Sequence, residues 1–168
     1  AAIDAARERV LRAVSSRPGR VVFTSGGTEA NNLAIAGLAR LRRGDRLVTS
    51  AVEHPSAARA VECAAADLGA TSATVGLTAA GVLDLDRLAD ALTERTLLVA
   101  LIHAQNESGV TQPIAQAAAI VRQRAPRAYL HIDAIQSFGK LPLHAVAAVA
   151  DSIALSAHKL HGPKGTGA

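Results

Sequence analysis

The chain has 168 residues, of which 49% are hydrophobic, 19% are charged and 2% are aromatic, and its net charge is +4. A chain of this length can bury about 70% of its unfolded surface in a single domain, and this composition excludes intrinsic disorder. Scattered arginines with so few aromatic residues argue against nucleic-acid binding, and no apolar run reaches the length of a membrane span. Because the one cysteine, Cys63, fits a reducing compartment, we expect a soluble cytoplasmic protein.

Predicted helices and strands alternate along the chain. The first helix is indicated by four apolar residues at helical spacing: Ile3, Ala6, Val10 and Val14. Strands are predicted for six short β-rich segments: 20–25, 46–50, 71–75, 96–103, 128–133 and 151–156. Further helices are predicted between them, at residues 28–41, 55–69, 83–92 and 114–125. In the helix at 28–41, the predicted buried stripe comprises Leu33, Ala34, Gly37, Leu38 and Leu41.

Strands that are almost continuously apolar and separated by helices indicate a mostly parallel sheet covered on both faces. We therefore predict an α/β three-layer sandwich that forms one domain over residues 1–168. The sequence starts inside a helical pattern and stops after a glycine-rich turn, so we expect this domain to be truncated at both ends. Ligands of such sheets bind beyond the carboxyl ends of the strands, and several polar segments of the chain lie there.

The first polar segment is TSGGTEANN, residues 24–32. Its glycines and the start of a helix offer backbone N–H groups to a phosphate, and Thr28 could add a hydroxyl. The segment lacks the Gly-Lys-Ser/Thr ending of a P-loop and the third glycine of a dinucleotide fingerprint. A tight turn with Thr28 as an ordinary helix N-cap explains it equally well.

Three further strand exits carry polar side chains. His54 follows a strand and could act in a site, cap the next helix or pack. The segment HAQNESGVTQPI, residues 103–114, includes Asn106 and could bind a polar ligand or bond to itself. Asp133 ends a strand, with Gln136 three residues later, and a carboxylate there favours a cation such as a protonated heterocyclic nitrogen or an arginine. The alternative for Asp133 is a helix N-cap.

Lysine is rare in this chain, since only three of its 18 basic residues are lysines. Forming an imine requires a primary amine that can lose its proton, which arginine cannot do. Lys159 follows a predicted strand, and Ser156 and His158 before it could both bond a phosphate, so Lys159 is the candidate. Lys140 and Lys164 adjoin glycines in predicted exposed turns, and we interpret both as structural.

Together, five segments resemble the fold type I pyridoxal-phosphate (PLP) enzymes, specifically the class V aminotransferase group and, within it, cysteine desulfurases of the iron–sulfur cluster assembly and nitrogen-fixation branch. The segments are FTSGGTEANNLAI, VEHPS, HAQNESGVTQPI, HIDAIQSFGKLPL and SAHKLHGPKGTGA. Each is modest alone, but the five in this order are highly specific. The resemblance implies that residues 1–168 are the large cofactor-binding domain of such an enzyme.

The resemblance also implies roles for individual residues. Lys159 would form the Schiff base with PLP, Asp133 would pair with the pyridinium nitrogen, and Gln136 would bond the phenolic oxygen. His54 would stack on the ring and Asn106 would lie beside the cofactor oxygen and the substrate carboxylate. The phosphate would be held by Gly27, Thr28, Ser156 and His158. No metal is implied.

The implied activity is the conversion of L-cysteine to L-alanine with delivery of persulfide sulfur to acceptor proteins, by a homodimer. The catalytic cysteine and the arginine for the substrate carboxylate would lie beyond residue 168. Cys63, surrounded at helical spacing by apolar residues, is predicted to pack in the core instead. His161 stands where the family has glycine or tyrosine. A selenocysteine lyase, an aminotransferase of the same group and a non-catalytic α/β binding module remain alternatives.

Overall fold

The structure is a computed structural model that describes residues 1–14, 19–41 and 44–168. Its helices are α1 (Ala2–Val14), α2 (Gly27–Ala39), α3 (Pro55–Leu68), α4 (Leu85–Ala91), α5 (Ile114–Arg124) and α6 (His144–Val149). Its strands are β1 (Arg46–Ser50), β2 (Thr71–Val75), β3 (Thr96–Ile102), β4 (Tyr129–Asp133) and β5 (Ser152–Ala154). A short 3-10 helix, Ala157–Leu160, follows β5.

The five strands form one parallel sheet in the order β2-β1-β3-β4-β5. Strand β3, at the centre, is buried along its whole length, as expected of a strand covered on both faces. The strand prediction is therefore confirmed for five of the six segments. None of the described helices combines the length and apolar character that a membrane crossing needs.

Side chains that alternate along each strand enter two separate cores, because successive residues of a strand point to opposite faces. Leu47 and Leu98 pack with α2 and α3 on one face, whereas Val48 and Val99 pack with α4, α5 and α6 on the other. The predicted three-layer α/β sandwich is confirmed.

The boundaries of α3 follow from its sequence. Pro55 begins the helix, His54 is its N-cap, and Gly69 ends it in the left-handed conformation with φ 62°. Proline at the first position loses no hydrogen bond, and glycine adopts a positive φ without steric cost. This arrangement places His54 at the carboxyl end of β1, on the edge of the sheet where the other strand exits also lie.

Two predictions near the N-terminus are wrong. Residues 20–25 form no strand of the sheet; Thr24 makes an isolated antiparallel bridge to Gly167, and Val22 is 59% exposed. The buried stripe of α2 is also different, since Leu33 is 52% exposed and lies on the outer surface. The face of α2 that packs on the sheet comprises Gly27, Ala30, Asn31, Ile35 and Ala39.

The prediction that Cys63 packs in the core is wrong as well. Cys63 is a free, exposed thiol on α3. The buried face of that helix is formed by Ala57, Ala60, Val61, Ala64 and Ala65. Residue 63 lies on the opposite side of the helix, because at 3.6 residues per turn its side chain points away from the face formed by residues 57, 61 and 64.

Candidate active site

A cleft of about 520 Å³ opens at the carboxyl edge of the sheet. Eight of the nine predicted site residues line it: Gly27, Thr28, His54, Asn106, Asp133, Gln136, His158 and Lys159. The ninth, Ser156, is buried, and its Oγ lies 2.8 Å from His158 Nδ1. The structure therefore brings together side chains from five separate connections of the chain.

The N-terminus of α2 forms one end of the cleft. Its N-cap is Gly26, which has φ 155° and contributes no side-chain hydrogen bond to the helix. The first backbone N–H groups of a 13-residue helix are thus open to an anion, and the helix dipole favours one there. Thr28 is the second residue of the helix, so the alternative that it is an ordinary N-cap is wrong.

Gly27 allows close packing beneath this helix end. A Cβ at Gly27 would lie 2.1 Å from Cδ1 of Ile135, which also lines the cleft. Glu29, in the first turn, accepts hydrogen bonds from the backbone N and from Oγ of Ser25, each at 2.6 Å. These two bonds lower the pKa of the Glu29 carboxyl below its ordinary value.

Asp133 is a buried acid in the floor of the cleft, with 2% of its surface exposed. Its Oδ1 accepts the Ile135 N–H at 3.0 Å and its Oδ2 accepts Asn31 Nδ2 at 2.8 Å. Burial raises the pKa of this carboxyl, and no lysine or arginine in the described ranges forms an ion pair with it. A buried carboxylate without a cation is costly, so the site favours a cationic ligand.

The N-cap alternative for Asp133 is wrong, because residues 135–140 form turns rather than a helix. The bond from Ile135 N–H is local to that turn. Gln136 lines the cleft from the same turn, and its Oε1 accepts Lys140 Nζ at 3.4 Å. Asp133 and Gln136 therefore reach the cleft from one short connection after β4.

The loop after β3 combines both alternatives that the sequence left open. Gln105 bonds within the loop, since its Oε1 accepts the backbone N–H groups of Glu107 and Ser108 at 2.6 Å each. Asn106, which lies between Gln105 and Glu107 in the chain, lines the cleft. His103 is buried beneath the loop, and burial lowers the pKa of its imidazole.

His54 both caps a helix and lines the cleft. Its Nδ1 accepts the backbone N–H of Ser56 at 3.1 Å, which caps α3. Lys159, in the 3-10 helix after β5, reaches the cleft from the side of that strand. Lys164 is exposed, as predicted, but it lines the cleft as well. Two primary amines are thus available there.

Two polar side chains of this region were not predicted. Asn31 is fully buried on α2 and bonds to Asp133, and Glu53 is partly buried, with its Oε1 accepting the Ile102 N–H at 2.7 Å and its Oε2 shielded from solvent. Asn31 was not predicted because it lies within an apolar helical pattern. Glu53 was not predicted because the next residue, His54, is the more obvious candidate for a site. For Asn31, an amide at a position that the helical pattern buries is the signal that could have found it. Glu53 lies in the connection between β1 and α3, where neither pattern applies.

A family model described as "Aminotransferase class-V" matches residues 1–168. The chain belongs to the class V aminotransferase family. Cysteine desulfurase IscS of Anaeromyxobacter sp. (strain Fw109-5) is 42% identical to this chain over 169 residues. That match covers 99% of the chain and 41% of the relative, so the chain spans less than half the length of this curated relative.

Solved structures of related proteins superpose closely on this chain. DndA from Streptomyces lividans matches with a TM-score of 0.86 and 37% identity, covering 98% of this chain and 46% of that one. A structure titled "SspA in complex with cysteine" matches with a TM-score of 0.85 and 33% identity, covering 99% of this chain and 48% of that one. The chain therefore has the fold of the part of these proteins that it matches, slightly less than half of each.

Class V aminotransferases, cysteine desulfurases among them, use PLP, and PLP is the cofactor of this family member. The groups in the cleft fit it. The open end of α2 suits a phosphate, the uncompensated acid Asp133 suits a protonated ring nitrogen, and Lys159 offers a primary amine for an aldehyde.

Proposed function

We propose that residues 1–168 form part of the cofactor-binding domain of a PLP-dependent cysteine desulfurase. The whole enzyme would break the carbon–sulfur bond of L-cysteine, release L-alanine and leave the sulfur as a persulfide on an enzyme thiol. One observation carries the proposal: Lys159, Asp133 and the open end of α2 line one cleft in a chain 42% identical to a cysteine desulfurase. A solved relative's title names a complex with cysteine, which supports the substrate.

In this proposal PLP, when bound, supplies an electron sink for the pair released at the substrate Cα. Lys159 would hold the cofactor at its aldehyde carbon, and the Lys159 amine would accept the Cα proton of the substrate. Asp133 keeps the ring nitrogen protonated, because a buried carboxylate favours a cation beside it. Gln136 donates to the phenolic oxygen, and His54 covers the face of the ring.

The remaining cleft residues fix the two ends of the ligand. The backbone N–H groups of Gly27 and Thr28, the Thr28 hydroxyl and the Ser156–His158 pair hold the phosphate. Asn106 orients the substrate carboxylate. Four further features of the whole enzyme are proposals from the family resemblance: a homodimer, a cytoplasmic location, sulfur-acceptor proteins as partners, and a catalytic cysteine outside these residues.

Covalent trapping on the full-length protein tests the cofactor site. The protein is loaded with PLP, reduced with borohydride and digested, and the peptide that carries the added mass is identified. We expect the label on Lys159 and its loss in Lys159→Arg. Lys140→Arg is the matched control, because arginine keeps a donor to Gln136 Oε1 while removing a lysine amine, and its label should be unchanged. Label on Lys140 or Lys164, or on no lysine, contradicts the proposal.

A product assay tests the activity. With L-cysteine and a thiol reductant, we expect alanine and sulfide in equal amounts, and no alanine from Lys159→Arg. Turnover of L-selenocysteine without L-cysteine indicates the selenocysteine lyase alternative, and amino transfer to a keto acid indicates the aminotransferase. A protein that takes up PLP but converts none of these substrates is the non-catalytic module.

A further inference from the structure

Asn31 is a fully buried amide that joins two helices and a strand. From α2, its Nδ2 donates to Asp133 Oδ2 at 2.8 Å and to Ser56 Oγ at 3.0 Å, and its Oδ1 lies 3.0 Å from His131 Nε2. The amide thereby uses both of its N–H groups and its oxygen. The family mechanism proposed above gives Asn31 no role.

The chemistry of its partners fixes which way each of these bonds runs. The proposed function requires Asp133 to be ionised beside the protonated ring nitrogen, and an ionised carboxylate only accepts, so the Nδ2 side of Asn31 faces Asp133 and the oxygen faces His131. His131 must then carry its proton on Nε2, and its Nδ1 accepts the hydroxyl of Ser152 at 2.8 Å. Burial lowers the pKa of His131 to about 4, so the ring is neutral and has a single proton to donate.

A second arm runs from Asn31 to His54. Ser56 Oγ accepts from Asn31 and lies 2.8 Å from His54 Nδ1. Because Nδ1 also accepts the Ser56 backbone N–H, it carries no proton, and the Ser56 hydroxyl must donate to it. His54 therefore carries its proton on Nε2, and Asn31 lies at the branch point of two chains that end at Asp133 and His54.

We propose that Asn31 is a positioning residue that holds the Asp133 carboxylate and, through Ser56, the His54 ring in the orientations that PLP requires. This inference rests on the proposed function. Asn31 lies one helical turn after Gly27, so a single rigid helix sets the anion-binding end of the cleft and the acid at its floor. The charged or titratable groups that act on Asp133 from neighbouring elements are Glu53 and His54, and both follow β1.

Removing the amide loosens Asp133 and leaves His131 Nε2–H without its acceptor. Hydrogen bonds to charged groups are strong enough that their loss weakens binding roughly tenfold to hundredfold. We expect Asn31→Ala to weaken the affinity of the full-length protein for PLP by about tenfold or more. We also expect the 15N resonance of the PLP ring nitrogen to shift toward the unprotonated form in this variant.

The neighbouring residue provides a matched control. Asn32 is an exposed asparagine of the same helix whose Nδ2 donates to the Thr28 carbonyl at 2.8 Å. Asn32→Ala should bind PLP within about twofold of the unchanged protein, since exposed neutral bonds contribute little. Ser56→Ala cuts only the arm to His54, so it should leave the ring-nitrogen resonance in place while weakening PLP binding.

Imidazole 15N spectra of the unchanged full-length protein loaded with PLP test the network even if Asn31→Ala fails to fold. The proposal requires both His131 and His54 to carry a proton on Nε2 and none on Nδ1, and the opposite tautomer at either ring overturns it. Failure of the unchanged protein to load PLP on Lys159 refutes the proposed function instead. Normal loading with Asn31→Ala indistinguishable from Asn32→Ala in affinity and ring-nitrogen resonance refutes the role of Asn31 alone.

Discussion

Gly167 and Thr24 pair through two backbone hydrogen bonds, Thr24 N to Gly167 O at 2.9 Å and Gly167 N to Thr24 O at 2.8 Å. The pair closes against Gly26, because a Cβ on Gly167 would lie 2.6 Å from the Gly26 carbonyl carbon. Gly167 also bridges to Ser156. The C-terminal end of the described chain therefore fixes the loop that leads into α2, and with it the open helix end of the cleft.

Replacing Gly167 by alanine should displace that loop. The new Cβ meets backbone atoms, which cannot move aside as a flexible side chain can, and overpacking of this kind costs about 1–3 kcal/mol. We expect Gly167→Ala to lower the free energy of unfolding by that amount and to weaken PLP binding. Gly37→Ala is the control: nothing lies within 4 Å of its Cβ position in the interior of α2, so it should stabilise the protein by about 0.5–1 kcal/mol. Urea unfolding of both variants decides the matter.

His161 adopts φ 61°, in the left-handed region, directly after the 3-10 helix that carries Lys159. A side chain with a Cβ costs about 1–2 kcal/mol there, whereas glycine pays only about 0.5–1 kcal/mol of extra chain entropy on folding. His161→Gly should therefore raise the free energy of unfolding by about 0.5–1 kcal/mol. His161→Ala keeps the Cβ and should show no such gain. Equal gains in both variants would mean that the imidazole, not the backbone, causes the cost.

The sequence predicted the central layer of the fold well because long buried strands leave a clear pattern. Residues 97–102 are continuously apolar, and the structure has β3 at Thr96–Ile102. Residues 20–25 also include β-favouring residues, but a strand needs a neighbour to bond to, and in the described part of the chain Thr24 bridges only to Gly167. That pairing joins residues more than 140 positions apart, and local composition contains no information about it.

The candidate site was predictable where a residue type and a strand exit coincide, as at Asp133 and Lys159. Asn31 was missed because the leucines of α2 suggested the wrong buried face. The face that packs on the sheet is formed mostly by small residues, which give a weak hydrophobic signal. Asn31 and Asp133 lie 102 positions apart, and only the folded chain shows that they are bonded. At this helix, close packing of small side chains against the sheet determines the buried face, rather than burial of the larger apolar side chains.

Cys63 should react as an exposed thiol in the native protein. Because it lies on the outer face of α3, a maleimide should label the peptide that contains it without denaturant. Cys63→Ser should change the free energy of unfolding by less than about 0.5 kcal/mol, the range for surface substitutions. Desulfurase activity should be unchanged in that variant. If the thiol is labelled only after unfolding, Cys63 is buried in the core and this prediction is wrong.

Glu53 lies beside Asp133 at the carboxyl ends of β1 and β4. Its Oε1 accepts from Ser50 Oγ and from the Ile102 N–H, and its Oε2 is buried with no hydrogen-bond partner in the described part of the chain. Burial raises the pKa of Glu53 to about 8, and the charge of Asp133 acts in the same direction. At neutral pH the folded protein therefore keeps this carboxyl protonated, whereas the unfolded chain does not.

The raised pKa makes stability depend on pH with a definite sign. From the ordinary value of 4.5 to about 8, the folded state binds a proton that the unfolded state has released, so stability falls as pH rises, by up to about 1.4 kcal/mol per unit.

Glu53→Gln keeps the Oε1 acceptor and cannot ionise. The difference in free energy of unfolding, variant minus unchanged protein, should therefore increase between pH 6 and 8 and stay constant above that range. Glu62→Gln, the same substitution at an exposed position of α3, should follow the unchanged protein throughout. The opposing titration of His131 is common to all three proteins and cancels in these differences. Parallel curves for Glu53→Gln and the unchanged protein in urea unfolding would show that Glu53 ionises freely in the folded state.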